Sequence, residues 1–241
     1  MNTSEKNHLP KLYLIPNFIG TEKWETHFPE YNKEIICQLK YFIAEDIKAC
    51  RRLLKHAGYP DISQAIIEEY NEHHFNESVE RYFVPINLGH SIGLVSEAGC
   101  PVIADPGDAI VKFAHQKEIE IVPLVGANAI LLAIMAAGLS GNNFAFNGYL
   151  PVETRQKVQK IKELEQLSFN KKQAQFFIET PYRNLALFNL LIQILHSETY
   201  LSIACDILTE HQLFQTKKVS EWKKTPAPDI HKKPCIFGLM R

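Results

Sequence analysis

The sequence predicts an α/β protein in two domains, residues 1–148 with a mostly parallel sheet and 149–241 with a mixed one. Three observations carry that expectation. The stretch Ile92–Ala137 alternates strand, loop, helix, strand, turn and helix, a series that builds parallel sheets covered on both faces. Its two glycine-containing loops, SEAGCPVIADPGD and VGANA, fall at strand ends, where such sheets bind ligands. After a Lys- and Glu-rich helix near 153–165, the remaining segments mix helices with strands and close on a strand.

The elements follow in chain order. LYLI at Leu12–Ile15 stops at Pro16 and runs into a loop containing Gly20, as a strand does. Cys37–Ala44 is a second strand candidate. Glu45–His56 is a helix: Ile47, Cys50, Leu53 and Leu54 recur at helical spacing, and Gly58 follows as a C-cap glycine would. Ile62–His74 reads as another, more polar helix. Ile92–Ser96 is a buried strand, Ala109–Gln116 a short helix capped by Asp105 or Asp108, Ile119–Val125 a strand and Asn128–Ala137 an apolar helix. FAFNGYLP breaks that pattern, and the domain boundary is placed at Gly148–Pro151. Gln175–Glu179, Tyr200–Ile207, Phe214–Val219 and Cys235–Met240 are strands, with a helix at Asn184–His196.

Composition excludes several classes. A chain of 241 residues that is 46% hydrophobic and 22% charged forms a sizeable core and is no disordered segment. Its net charge of −1 supplies no global attraction to nucleic acid, so any such contact is local. Five scattered cysteines without a C-x-x-C pair argue against a disulfide framework or a zinc site and for a reducing cytoplasm. The opening MNTSEKNHLPK lacks the apolar core of an export signal, and Ala129–Leu139 is too short to span a bilayer, so no membrane association is expected. The absence of H-E-x-x-H, G-x-G-x-x-G and G-x-S-x-G removes the usual signatures of a zinc hydrolase, a dinucleotide enzyme and a serine hydrolase.

Two loops carry the candidate chemistry. In the first, Glu97, Asp105 and Asp108 accompany Gly99, Pro101, Pro106 and Gly107. Glycine lets the backbone approach a ligand, and a carboxylate at a strand end accepts hydrogen bonds from a ribose or an amine. In the second, small side chains and free N–H groups open a helix beside Gly126. An ordinary capped βα loop and a tightly packed helix explain the same residues without a ligand. Lys48, Arg51, Arg52 and Lys55 cluster on one helix and read first as a solvated face.

Taken in order, LYLIPNFIG, AEDIKACRRLL, LVSEAGCPVIADPGD, VPLVGANAILLAIMAAGL, FNGYLP, IETPYR and the closing strand resemble the successive motifs of the ribosomal RNA small-subunit methyltransferase I family, a branch of the tetrapyrrole methylases. The resemblance covers nearly the whole chain. It implies the class III methyltransferase fold, with S-adenosylmethionine in a cleft between two α/β domains, a homodimer, and transfer of a methyl group to a cytidine ribose 2′-hydroxyl of ribosomal RNA. It also implies a cofactor pocket lined by Pro16, Ser96, Glu97, Ala98, Gly99, Cys100, Pro101, Gly126, Asn128, Ala129, Thr180, Pro181 and Cys205. Glu45, Asp46 and Asp105, on the motifs that face this pocket, are the candidate general bases. The family's A-E-D-T-R reads Ala44-Glu45-Asp46-Ile47-Lys48 here, P-G-P-S reads Val125-Gly126-Ala127-Asn128, S-P-H-R reads Thr180-Pro181-Tyr182-Arg183, and Glu97 replaces the usual aspartate. Lysine is no substitute for arginine where two contacts are needed at once. Methylation of a small molecule such as a tetrapyrrole, and non-catalytic binding of cofactor or RNA, are the alternative readings.

Overall fold

The computed structural model describes residues 9–74 and 78–241; most of the polar opening run lies outside that range. The chain divides into two compact units, one ending at Asn128 and the other running Ala129–Arg241.

The first unit contains β1 (Lys11–Ile15), α1 (Trp24–His27), α2 (Glu30–Gln38), β2 (Tyr41–Ala44), α3 (Ile47–His56), β3 (Ile66–Glu69), α4 (Val84–Asn87), β4 (Ile92–Val95), α5 (Asp108–Gln116) and β5 (Glu120–Pro123). The strands lie in the order β3-β2-β4-β1-β5, and every pairing is parallel. Both faces are buried, and this is why LYLI, YFIA and IGLV read as continuous apolar runs rather than alternating ones. Tyr13, Ile15, Phe42, Ala44 and Val95 face a core shared with Ile36 of α2 and Leu53 of α3. Leu12, Leu14, Ile43, Ile92 and Leu94 face the opposite core, with Ile110 and Ala114 of α5.

Three expectations are corrected here. The second strand begins at Tyr41, because Cys37 and Gln38 close α2, a helix absent from the sequence reading. Ile62–His74 is not one helix. It is a 3-10 turn at Ile62–Gln64, the edge strand β3, and a second turn at Glu72–His74. Pairing with β2, register Tyr41↔Ile66, supplies backbone partners that outweigh the weak helical pattern of this polar stretch. Neither Asp105 nor Asp108 caps α5: Gly107, at φ 133°, holds the N-cap position without a side-chain bond, and Asp108 is the first helical residue.

The second unit contains α6 (Ala129–Ala136), β6 (Phe144–Tyr149), α7 (Thr154–Lys171), β7 (Ala174–Ile178), α8 (Asn184–Ile194), β8 (Tyr200–Cys205), β9 (Leu213–Lys218), α9 (Val219–Trp222) and β10 (Cys235–Met240). The sheet order is β6-β7-β10-β8-β9; β6 and β7 are parallel and the other pairs antiparallel, a mixed sheet as expected. The unit starts well before Gly148–Pro151, since β6 pairs with β7 and α6 packs on β8 and β10. Its core joins Phe188 and Trp222 edge to face at 5.3 Å and stacks Phe177 on Phe237 at 6.0 Å, while Trp222 Nε1 donates to the Leu201 carbonyl at 2.9 Å. No helix among the described residues is long and apolar enough to cross a membrane.

Gly238 lies under a rigid ring: a Cβ there would stand 2.6 Å from Phe176 Cε1. Gly238→Ala should therefore lower stability by about 1–3 kcal/mol through overpacking, read as an earlier urea midpoint with unchanged slope.

Candidate functional site

The loops that leave β1, β2, β4 and β5 all emerge at the carboxyl edge of the parallel sheet. Neighbouring β1 and β4 send their connections to β2 and β5, in opposite directions across the sheet, at the edge where such folds bind ligands.

Backbone leaving a strand needs new partners for its polar groups. Asn17, 3% exposed, supplies many of them. Its backbone N–H donates to the Gly99 carbonyl at 2.8 Å and its own carbonyl accepts from Gly99 N–H at 3.2 Å. Its side-chain Nδ2 donates to the carbonyls of Ser96 and Glu97 at 3.0 and 3.1 Å, and Oδ1 accepts from Phe18 N–H. Glu45 ties in the loop after β2: its N–H donates to the Val95 carbonyl, and its Oε2 accepts from Glu97 N–H at 2.9 Å. The loop after β5 closes against Pro16, since a Cβ on Gly126 would stand 2.3 Å from Pro16 Cγ. Buried Asn32 holds the Val125 carbonyl at 2.9 Å, and the Cys100 thiol reaches the Ala127 carbonyl at 3.7 Å. Cys100 also meets Asn128, whose side chain offsets part of the rise that burial imposes on the thiol's pKa.

The loop after β4 is strained. Val102 and Ala104 take left-handed φ values of 72° and 67°, conformations that cost non-glycine residues about 1–3 kcal/mol each and gather at functional sites. Gly99, at φ 70°, adopts the same region freely. The loop carries Asp105 into a partly buried position, and burial raises its carboxyl from the usual 3.8 to about 7, aided by repulsion from Glu45 and, less, Glu97. The Ser96 hydroxyl favours the ionised form and offsets part of that rise. Ser96 Oγ itself is buried without a partner in hydrogen-bonding geometry. An orphaned buried hydroxyl beside a carboxyl poised near neutrality fits a polar ligand that completes its bonding.

The structure thus brings together Pro16, Glu45, Ser96, Glu97, Gly99, Cys100, Asp105, Gly126 and Asn128, with Pro101 buried and Ala98 exposed on the same loop. Asp46 differs: it is the N-cap of α3, its carboxylate accepting from Ala49 N–H. That bond explains the residue without chemistry. Lys48, Arg51, Arg52 and Lys55 form the solvated face of α3, with Arg52 reaching Glu22 at 3.4 Å. Asn17 and Asn32, which hold the backbone of these loops, are residues that the sequence reading missed. The one available signal was the position of Asn17 directly after a strand-ending proline.

In the second unit, Ala129 opens α6, and Thr180 and Pro181 follow β7. Buried Glu179 precedes them. It accepts from Lys157 Nζ at 2.6 Å, Arg183 Nη2 at 2.7 Å and Nε at 2.9 Å, and Thr180 N–H at 2.8 Å. Burial alone would raise its pKa, but these donors outweigh it and hold the carboxyl below its usual range. Cys205 turns into the unit's hydrophobic core, opposite Cys235 on β10. The shared hydrogen bond lowers the Cys205 thiol and, with burial, raises that of Cys235.

No family model matches the chain. Among curated relatives, it is 26% identical to the ribosomal RNA small subunit methyltransferase I of Vibrio cholerae over 239 residues, covering 99% of this chain and 79% of the relative. The Bacillus subtilis protein of the same name is 30% identical over 221 residues, 92% of this chain and 72% of the relative. That of Escherichia coli O157:H7 is 26% identical over 218 residues, 90% and 72%. Two α/β units, one parallel and one mixed, together with these relatives, define the chain as a methyltransferase. It belongs to the ribosomal RNA small subunit methyltransferase I family.

Two outcomes check this geometry. Gly126→Ala should force Pro16 away, lowering stability by about 1–3 kcal/mol, read as an earlier urea midpoint. Asp105 has its folded pKa above the ordinary value, so stability present below about pH 4 falls as pH rises toward 7. Asp105→Asn should escape that loss, gaining about 2 kcal/mol over the wild type between pH 4 and 8 in urea melts, a figure discounted for the water that still reaches the carboxyl.

Proposed function

We propose that the protein transfers the methyl group of S-adenosylmethionine to a ribose 2′-hydroxyl of small-subunit ribosomal RNA. The observation that carries the reading is Asp105: a carboxyl held near pH 7, beside an unpartnered buried hydroxyl, on a strained loop at the carboxyl edge of a parallel sheet. Family membership and the relatives' printed names support the class of acceptor.

In this reading Pro16, Ser96–Pro101, Gly126 and Asn128 of the first unit hold the cofactor; the family resemblance alone assigns Ala129, Thr180 and Pro181 a part in binding it. Ser96 Oγ and the loop backbone supply hydrogen bonds, and Gly126 lets the loop after β5 close on Pro16. When bound, S-adenosylmethionine supplies a methyl group on a sulfonium sulfur, a leaving group that needs no further activation. The protein's task is then positioning and proton removal. A ribose hydroxyl is a poor nucleophile, and Asp105, ionised above pH 7, takes its proton as the new O–C bond forms. Glu45 raises the basicity of Asp105 and fixes the Glu97 backbone; Asp46 orders α3. Cys205 contributes backbone position rather than its thiol. A homodimer belongs to the same reading, and the exposed Leu131 and Met135 on α6 are apolar surface that a second copy would cover.

The test is radiolabelled methyl transfer to small-subunit particles, to total RNA and to a small-molecule extract, with nuclease mapping of the product. Label at a 2′-oxygen of small-subunit RNA is expected, with a rate that climbs with pH through about 7. Asp105→Asn should cut kcat by about 10²–10⁴ and flatten that climb while leaving cofactor affinity nearly intact. Label in the small-molecule fraction alone would replace this acceptor with a small one.

A further inference from the structure

The near-neutral total charge hides an uneven distribution. From Ala129 onward the chain has 14 Lys and Arg against nine Asp and Glu, a net of +5; up to Asn128 it has 12 against 18, a net of −6. The basic unit is the one that a polyanion would engage.

On that unit, directly after Thr180 and Pro181, Tyr182 is 72% exposed. Its backbone is anchored from two sides. Arg183, the next residue, fixes its guanidinium on buried Glu179, which Lys157 also holds. From the other side comes the segment before β10: Ile230 is buried in the core, Asn184 Nδ2 donates to the Lys233 carbonyl at 2.6 Å, and Lys232 N–H donates to the Pro181 carbonyl at 3.0 Å. Lys232 takes a left-handed φ of 60°, and its Nζ lies 5.7 Å from the centre of the Tyr182 ring. Among the described residues no carboxylate forms an ion pair with Lys232, whereas neighbouring Lys233 pairs with Asp229 at 2.8 Å. An aromatic ring open to solvent, held on rigid backbone with an ammonium over one face, has the chemistry that binds single-stranded nucleic acid: the opposite face for a base and a charge for the adjoining phosphate.

We propose that Tyr182 is a stacking platform for an unpaired base of the RNA acceptor and that Lys232 contacts the neighbouring phosphate. The proposal rests on the RNA reading above and adds a place on the protein for the acceptor, next to Thr180 and Pro181 in the chain. Glu179 is a positioning residue that acts through Arg183.

The probe is a fluorescein-labelled single-stranded RNA of about 20 nucleotides, a generous span for one binding site, titrated over a salt series with the full chain. Tyr182→Ala should weaken binding about tenfold, and Tyr182→Phe should stay within about twofold of the wild type, because the ring is retained. Lys232→Ala should reduce the slope of log affinity against log salt by about 0.7, the value for one phosphate on a single strand. S-adenosylmethionine affinity should be unchanged in all three. If the wild type binds and methylates RNA but Tyr182→Ala binds it equally well, the platform is overturned and the RNA reading stands. If Tyr182→Ala loses cofactor affinity in step with RNA affinity, the residue serves the donor and the platform is again overturned. If the wild type neither binds nor labels RNA but labels a small molecule, both readings fall together.

Discussion

Strand ends in a parallel sheet expose backbone N–H and C=O groups just where a ligand must be admitted, and in the first unit one buried amide resolves most of that conflict. Asn17 spends its side chain and its backbone on Ser96, Glu97, Gly99 and Phe18, so the loop after β1 and the loop after β4 are a single hydrogen-bonded structure. Glu45 adds the loop after β2, and the contact of Gly126 with Pro16 adds the loop after β5. Only with the loop ends fixed in this way does the segment through Val102 and Ala104 sustain left-handed backbone, and that segment delivers Asp105 to its place.

The acids of this region show how environment sorts chemically alike residues. Asp46 is consumed by the first turn of α3, Glu45 by the Glu97 backbone, and Asp105 is left partly buried among like charges with a hydroxyl for company. Burial and repulsion move Asp105 toward neutrality. In the second unit the opposite balance holds. Glu179 is more completely enclosed, yet two cations and a backbone N–H keep it ionised, and it serves as the anchor of a turn. A buried pair of this kind adds little net stability over an apolar core, but removing one partner strands the other, which makes the turn after β7 a fixed feature of the surface.

The charge division matches the roles proposed for the two units. The acidic first unit carries the proposed base; the basic second unit carries exposed Tyr182 with Lys232 over its ring. The altered motif Ala44-Glu45-Asp46-Ile47-Lys48 acquires a physical reading as well: Glu45 and Asp46 are engaged in holding backbone, and Lys48 belongs to a solvated helix face.

What the sequence by itself determined was the class of fold and the position of the loops. Burial on both faces writes itself into LYLI and IGLV, glycines mark where backbone turns or is approached, and helical spacing marks α3, so the parallel first half and mixed second half were legible. The helix Glu30–Gln38, the strand Ile66–Glu69 and the early start of the second unit were not. The decisive interactions there, β3 on β2 and β6 on β7, each join a segment of weak pattern to a strand that was legible. The same limit governs the site. Glycine and proline announced the loops, but whether an acid is a cap, a tie or a base depends on which atoms from distant segments surround it. Asn17 with Ser96, Glu45 with Glu97 and Asp105 with Glu45 are juxtapositions of residues far apart in sequence. Only the tertiary structure brings them together, because burial, charge proximity and hydrogen-bond supply are properties of that assembled environment rather than of any residue's place along the chain.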